Sequence, residues 1–271
     1  MGFSVNTNAG ALVALQNLNK TNAQLNTVQS KINTGLKVAG AKDDASIFAI
    51  AQKQRAELGG LSAVQSSLDR ATGALDVAIA GAEAVSDLLI QMKEKAVASK
   101  DAGNDATSRG LLDNDYQQLV AQINTIVNNA EFNGRNSLNG TDDIVAIVNA
   151  DASSQISVAA QDLTATTLNL DDTTIDSETD ATTALTAIEN AIDTVNTSLS
   201  ALGAGAKRVE VVGSFVEKLS DAIEVGIGNL VDADLARESA NLQSLQVKQQ
   251  LGLQALSIAN QAPGTVLSLF R

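Results

Sequence analysis

Few side chains in this sequence could perform acid–base chemistry, because it contains no histidine and no cysteine. Such chemistry would fall to carboxylate pairs, and the candidates are the adjacent aspartates Asp43–Asp44, Asp142–Asp143 and Asp171–Asp172. Adjacent side chains point to opposite faces of a strand and diverge on a helix, so a doublet alone does not aim two carboxyl groups at one substrate. We therefore predict that the protein is not an enzyme. Asp43–Asp44 precede an apolar helical run, and we expect them to cap a helix N-terminus.

Two short stretches carry partial signatures of ligand sites. Asp101, Gly103 and Asp105 match the start of a calcium-binding loop, but Leu112 occupies the position of its bidentate glutamate. The stretch "GAGAKR" around Lys207 lacks the spacing and the hydroxyl residue of a phosphate-binding loop. The absence of cysteine also excludes disulfides and thiolate metal sites. We expect no cofactor and no bound metal.

The middle of the chain is rich in threonine and serine, whose hydroxyls could carry O-linked sugars. The candidate acceptors are Thr164, Thr166, Thr167, Thr173 and Thr174. A plain solvated loop explains the same composition and is the commoner case. The segment is also acidic, since residues 141–180 contain carboxylates and no basic residue. We expect this part of the chain to face water.

The composition favours a protein built of packed helices. Hydrophobic residues make up 44% of the chain but aromatic residues only 2%, whereas compact cores rely on large aromatic side chains. The formal net charge is -13, and the scattered lysines of residues 1–42 do not form a phosphate-binding surface, so we expect no nucleic-acid partner. No apolar run reaches the roughly 18 residues of a membrane span, so we expect no membrane insertion. The first charge is Lys20, so we expect no cleaved signal peptide.

Apolar residues recur at steps of three and four over long stretches, the pattern of helices that pack along a seam. The first stretch comprises Leu61, Val64, Leu68, Ala71, Leu75, Ala78, Ala82, Val85, Leu89, Met92 and Ala96. A shorter stripe comprises Leu112, Tyr116, Leu119, Ile123, Ile126 and Ala130, and a third, long one runs from Leu185 to Ile223. Between these last two, the Asn-Gly pairs of "EFNGRNSLNG" and the β-branched residues after them predict turns and two or three short strands. The predicted fold is mainly α, a long antiparallel helical coiled-coil bundle with a small β-hairpin region in the middle of the chain.

Both ends of the chain carry apolar stripes but little charge with which to form a solvated outer face. A helix of this kind favours burial among neighbours, here copies of the same molecule, although the core of a self-contained bundle would give a similar pattern. The residues that we expect in subunit–subunit contacts are Leu12, Leu15, Leu18, Leu25, Val28, Ile32, Leu245, Leu256, Val266, Leu267, Leu269 and Phe270.

Three motifs in this order give the sequence its resemblance to the bacterial flagellins, the subunits of the flagellar filament. They are "LNKTNAQLNTVQSKINTGLKVAGAKDDASIFAIA" in residues 18–51, "NNAEFNGRNSLNG" in 128–140 and "ANLQSLQVKQQLGLQALSIANQAPGTVLSLFR" in 240–271. The resemblance covers roughly residues 1–140 and 185–271.

The resemblance implies a domain organisation, a set of partners and a location. Residues 1–42 and 229–271 would form the inner filament core, and 43–228 the outer helical domain, which includes a short, β-rich, acidic and variable segment at 141–184. The subunit would polymerise with itself, and its other partners would be the flagellar type III export apparatus, an export chaperone, the filament cap and hook-associated proteins. The location would be the extracellular filament, reached without a cleaved signal peptide. The terminal helices would fold on polymerisation.

This sequence departs from the family at the segment sensed by Toll-like receptor 5. The positions that usually hold an Arg, a Leu and a Glu carry Gln91, Lys95 and Asp115, so we predict weak receptor recognition. The short middle also leaves no room for large outer domains. Two other functions stay open, a hook–filament junction protein with the same terminal helices and a non-polymerising soluble coiled-coil module.

Overall fold

The structure, a computed structural model, describes the backbone of residues 7–268 and the side chains of residues 7–261. Within that range the helices are α1 (Ala9–Thr34), α2 (Ala45–Ser99), α3 (Ala106–Asn129), α4 (Glu178–Val231) and α5 (Leu235–Ser268). The strands are β1 (Glu131–Phe132), β2 (Arg135–Asn136), β3 (Ile144–Ile147) and β4 (Gln155–Val158). The predicted fold class, mainly α with a small antiparallel strand region in the middle, is confirmed.

The chain divides into two compact units. One consists of Met1–Ala56 with Ala222–Arg271, and the other of Glu57–Asp221. The second unit contains most of α2 and α4, all of α3 and both hairpins. None of the described helices is both long and apolar enough to cross a membrane.

The seam that the sequence predicted along α2 is buried within the second unit, where α2 lies beside α4. Every residue of the predicted α2 stripe from Leu61 to Ala96 is buried. The two helices are antiparallel at this seam. Near the end of α2, Lys93 Nζ lies 3.0 Å from Glu189 Oε1 of α4, and the buried Ser99 hydroxyl donates a hydrogen bond to the carbonyl of Ile175, just before α4 begins. Small residues such as Ala71, Ala78 and Ala82 let the helices approach closely.

The predicted stripe of α3 was placed towards one edge of the true buried face. Tyr116 and Ile123 are fully buried as predicted, but Leu112, Leu119 and Ile126 are only half-buried. The residues that complete the buried face are Val120 and Val127. Both sets repeat every seven residues, so periodicity alone did not distinguish the centre of the face from its flank.

Two antiparallel hairpins follow α3. The first, β1–β2, turns at Asn133–Gly134, where both residues have positive φ (52° and 78°) as a two-residue hairpin turn requires. The turn was predicted, but its two-residue strands were not. The second, β3–β4, pairs Ile144 with Val158 and Ile147 with Gln155, and confirms the predicted hairpin region.

The hairpins sit closely on the long helices of this unit. A Cβ atom at Gly81 of α2 would lie 2.6 Å from the Leu138 side chain, and one at Gly205 of α4 would lie 2.7 Å and 2.8 Å from the two methyl groups of Val158. At these two positions the absent side chain lets the strand region approach the helix.

Candidate assembly surface

Helix α1 has a defined start and a defined end. The side chain of Asn8 accepts a hydrogen bond from the backbone N–H of Ala11 at 3.0 Å and thereby caps the first turn. Gly35 follows the last turn with φ 71°, the left-handed conformation that ends helices. The carbonyl of Gly35 then accepts a hydrogen bond from the backbone N–H of Ala233 at 2.8 Å. This bond joins the end of α1 to the segment immediately before α5.

Helix α5 begins at the same junction. The Asp234 side chain accepts hydrogen bonds from the backbone N–H groups of Ala236 and Arg237, both at 3.1 Å. Leu36 and Asp232 form an isolated antiparallel bridge. The backbone therefore fixes where α1 ends relative to where α5 begins.

From this junction α1 and α5 run antiparallel. Lys31 Nζ lies 3.8 Å from Glu238 Oε1. Further along, Gln249 Nε2 donates to Asn22 Oδ1 at 2.8 Å. At the far end Asn8 Nδ2 donates to the Ala259 carbonyl at 2.6 Å. The residue numbers of these three pairs have almost the same sum, which is the signature of one unbroken antiparallel register.

The apolar residues predicted for subunit contacts have different environments in the structure. Leu18, Leu25 and Leu245 are buried on the face where α1 and α5 meet. Val28, Ile32 and Leu256 are half-buried, whereas Leu12 and Leu15 are exposed. Val266 and Leu267 belong to α5, but their side chains fall outside the described set, and Leu269 and Phe270 lie outside the described residues.

A second apolar stripe of α5 was missed by the sequence reasoning. Val247, Leu251 and Ile258 are spaced four and seven residues apart, so they share one face of the helix. That face is not the one that carries Leu245 and meets α1. The three side chains are 55%, 57% and 70% exposed, and on α1 Val13 is exposed beside Leu12. The signal was present in the sequence, because this stripe has the same helical spacing as the one that was chosen.

A small core supports the junction between the terminal helices and the long ones within the same unit. It consists of the buried residues Val38, Ala51, Ile227 and Val231, with Leu36, Phe48 and other apolar side chains packed around them. The backbone N–H of Lys37 donates to the Val231 carbonyl at 2.7 Å.

The aspartate doublets serve local backbone structure. Asp44 Oδ1 accepts from the N–H groups of Ser46 and Ile47 at 2.9 Å and 3.0 Å, which confirms the predicted cap at the start of α2 for Asp44. Asp43 does not cap the helix, because its Oδ2 accepts from the N–H groups of Ala39 and Gly40 in the preceding loop. Asp142 accepts from the N–H of Asn136 at 3.2 Å and contacts Arg135, and the backbone hydrogen bond is the main reason why the pKa of Asp142 is lowered.

The partial calcium-loop signature is likewise made of local hydrogen bonds. Asp105 caps α3 by accepting from the N–H of Ser108 at 2.7 Å, and this bond lowers its pKa. Asp101 Oδ1 accepts from the N–H of Gly103 at 2.9 Å. Among the residues described, no three carboxylates cluster in a way that could hold a metal ion.

Most of the candidate sugar acceptors have their hydroxyls engaged. Thr164 and Thr167 donate to the two oxygens of Asp162, each at 2.7 Å. Thr166 donates to Asp171, and Thr173 donates to the Leu170 carbonyl at 2.7 Å. Thr174 is exposed, and its side chain forms no hydrogen bond with any residue that the structure describes. Glycosylation of these residues stays a prediction, with Thr174 the most available of the five.

The three receptor-segment positions lie in the second unit. Gln91 is exposed on α2, and Lys95 Nζ lies 2.6 Å from Asp115 Oδ2 of α3. Two of the three divergent side chains therefore contact each other, and weak receptor recognition stays a prediction.

The helical fold and the exposed apolar side chains of α1 and α5 define a class of protein. A helical subunit whose paired end helices leave large apolar side chains in solvent is suited to assemble with copies of itself.

Comparison with known proteins gives the family. Residues 5–143 match the model of the bacterial flagellin N-terminal helical region, and residues 185–270 match that of the bacterial flagellin C-terminal helical region. Flagellin FljM of Caulobacter vibrioides is 46% identical over 271 residues, which cover 99% of this chain and 98% of the relative. The chain belongs to the bacterial flagellin family, a family of structural proteins, and it is a subunit of the flagellar filament.

Two solved structures have a similar fold. The crystal structure of Bacillus cereus flagellin aligns with a TM-score of 0.51 at 23% identity, over 55% of this chain and 88% of that one. A "putative flagellar hook-associated protein" from Vibrio parahaemolyticus aligns with a TM-score of 0.57 at 11% identity, over 70% of this chain and 100% of that one. At these identities both similarities concern the fold alone.

Proposed function

We propose that this flagellin builds the filament through its antiparallel α1–α5 pair, with the outward stripe of α5 packed against helices of neighbouring subunits. The observation that carries the proposal is that α5 is apolar on two faces. One face, with Leu245, meets α1 of the same chain, while the other, with Val247, Leu251 and Ile258, is left more than half exposed. An apolar face opposite a face that is already buried calls for a second partner.

Charge supports the same surface. The exposed positions of α1 and α5 are largely amides, hydroxyls and aliphatic residues, and charged side chains such as Lys20 and Lys248 are few. Residues of this kind can be covered by another subunit without leaving an unpaired charge in the interior. The predicted contact residues Leu12 and Leu15 are also exposed, and they line a groove between α1 and α5 together with Leu256, so the helix pair offers a second apolar surface.

The division into an inner core of residues 1–42 and 229–271 and an outer domain of residues 43–228 is part of this proposal. Its support is that the two family matches leave residues 144–184 between them, close to the acidic segment 141–184, which the resemblance to flagellins implies to be variable. An outer position of that segment in the filament would leave its carboxylates in water.

We further propose the partners that the resemblance to flagellins implies. They are the flagellar type III export apparatus, an export chaperone, the filament cap and hook-associated proteins, and the location of the subunit would be the extracellular filament.

The test is polymerisation of the purified full chain beside a chain that lacks residues 1–42 and 229–271. We expect salt-induced filaments, visible by electron microscopy and collected by sedimentation, from the full chain alone. Circular dichroism should show that the shortened chain keeps its helices, so that its failure to polymerise is not a failure to fold. Filaments from the shortened chain would show that the terminal helices are not the assembly surface.

A further inference from the structure

The unit Glu57–Asp221 exposes an apolar and basic stripe on α4 that the α1–α5 pair does not account for. Arg208, Val211, Phe215 and Lys218 follow one another at steps of three, four and three residues, so they line one face of the helix. Val211 is 57% and Phe215 61% exposed. Neither Arg208 nor Lys218 forms an ion pair or a side-chain hydrogen bond with any residue that the structure describes. We call these four residues the α4 stripe.

Helix α2 of the same unit exposes a stripe of the opposite charge. Glu83, Asp87, Ile90, Glu94 and Val97 follow one another at steps of four, three, four and three, on the side of α2 that faces away from its buried seam. Ile90 is 55% and Val97 54% exposed. The three carboxylates have no hydrogen-bond or ion-pair partner among residues 7–261. We call these five residues the α2 stripe.

We propose that the α4 stripe of one subunit docks on the α2 stripe of a neighbouring copy in the filament, an inference that rests on the self-assembly proposed above. The two stripes match in charge, because one carries unpaired cations and the other unpaired carboxylates. Each also places apolar side chains between its charged ones. The occupant of each surface is therefore a second copy of this chain.

The spacing of the two stripes is also compatible. Arg208 and Lys218 are ten residues apart, about 15 Å along the helix, and Glu83 and Glu94 are eleven apart, about 16 Å. In an antiparallel arrangement Lys218 meets Glu83 and Arg208 meets Glu94. Val211 then lies opposite Ile90.

The geometry of such a contact suits a filament. Each subunit carries both stripes on different helices, so the contact joins two different surfaces and leaves one of each free for the next copy. A contact between unlike surfaces propagates into an open helical array when its rotation does not close a ring. The α2–α4 contact would extend the assembly through the unit that contains neither α1 nor α5.

The experiment is a charge-reversal series in the full chain. We expect Arg208→Glu with Lys218→Glu to raise the critical concentration for polymerisation by about tenfold or more, since two new carboxylates then face the three carboxylates of the α2 stripe. Glu83→Lys with Glu94→Lys should do the same. The chain with all four substitutions restores opposite charges across the contact, and its critical concentration should return close to that of the unaltered chain.

The matched control is Arg70→Glu with Lys100→Glu, which changes the same charge at exposed basic residues outside both stripes. Circular dichroism checks that each variant keeps its helices. The α2–α4 contact is overturned if the reversals weaken polymerisation no more than the control does, or if the four-fold variant is not rescued. Failure of the unaltered full chain to polymerise would instead reject self-assembly itself, so the two proposals fail in distinguishable ways.

Discussion

The outward stripe of α5 makes the sharpest prediction about assembly. Leu251 and Ile258 are 57% and 70% exposed in the single chain, and full burial of such a side chain contributes about 1.5–3 kcal/mol. Covering the exposed remainder in a filament therefore contributes about 1–2 kcal/mol for each residue. Replacing both by asparagine should weaken subunit addition by about 2–4 kcal/mol, which raises the critical concentration on the order of 100-fold.

The assay is sedimentation of filaments over a range of total protein concentration, with the unpolymerised fraction giving the critical concentration. The control is Gln250→Asn, which changes the helix propensity of a neighbouring exposed position but removes no apolar contact. The control should polymerise like the unaltered chain. A double variant with a critical concentration within threefold of the control would refute the assignment of this face to subunit contacts.

Three further predictions concern the second unit. Gly205→Ala should destabilise the folded unit by about 1–3 kcal/mol, because the new Cβ would overlap the stiff methyl groups of Val158. Gly203→Ala, with open space around it, should instead stabilise it by about 0.5–1 kcal/mol, and denaturant unfolding measures both. Because the pKa of Asp142 is lowered in the folded chain, its contribution is present above the unfolded value near 4 and is lost as pH falls through the folded pKa. Asp142→Asn should therefore flatten the pH dependence of melting in acid, and an unchanged profile would contradict this. A Toll-like receptor 5 reporter cell should respond weakly to the unaltered chain and more strongly to the Gln91→Arg variant. A response to the unaltered chain equal to that of a known agonist flagellin would contradict the prediction.

The long buried seam of α2 was predictable because this helix has no second apolar stripe of similar length. Along α2 the small and branched apolar residues from Leu61 to Ala96 lie on one face, and the exposed face carries carboxylates such as Asp76 and Glu83. Helix α3 contains two equally regular apolar repeats, one with Leu112 and Leu119 and one with Val120. The sequence pattern favoured neither, and the predicted stripe followed the first. Which of the two repeats is central depends on the neighbours of the helix, and a one-dimensional pattern does not contain them.

The sequence predicted which helices form the assembly surface, but not which faces of those helices meet other subunits. The terminal helices were expected to meet other subunits, yet Leu18 and Leu245 are buried inside the same chain. Helix α5 carries two apolar stripes, whereas the sequence reasoning predicted one stripe for each helix and therefore missed Leu251 and Ile258. The contact between Lys95 and Asp115 joins two helices whose relative rotation the sequence does not specify. The two-residue strands of β1–β2 are too short for an alternating pattern.

The most direct test of the account uses the absence of native cysteine. A single Leu251→Cys substitution places one thiol on the outward stripe of α5, and Ala152→Cys places one on an exposed turn between β3 and β4 as the control. The rate of maleimide labelling is then compared between the monomer and the filament. We expect polymerisation to protect the thiol at 251 strongly and the thiol at 152 little. Equal labelling of the thiol at 251 in monomer and filament would contradict the claim that this face of α5 is buried between subunits.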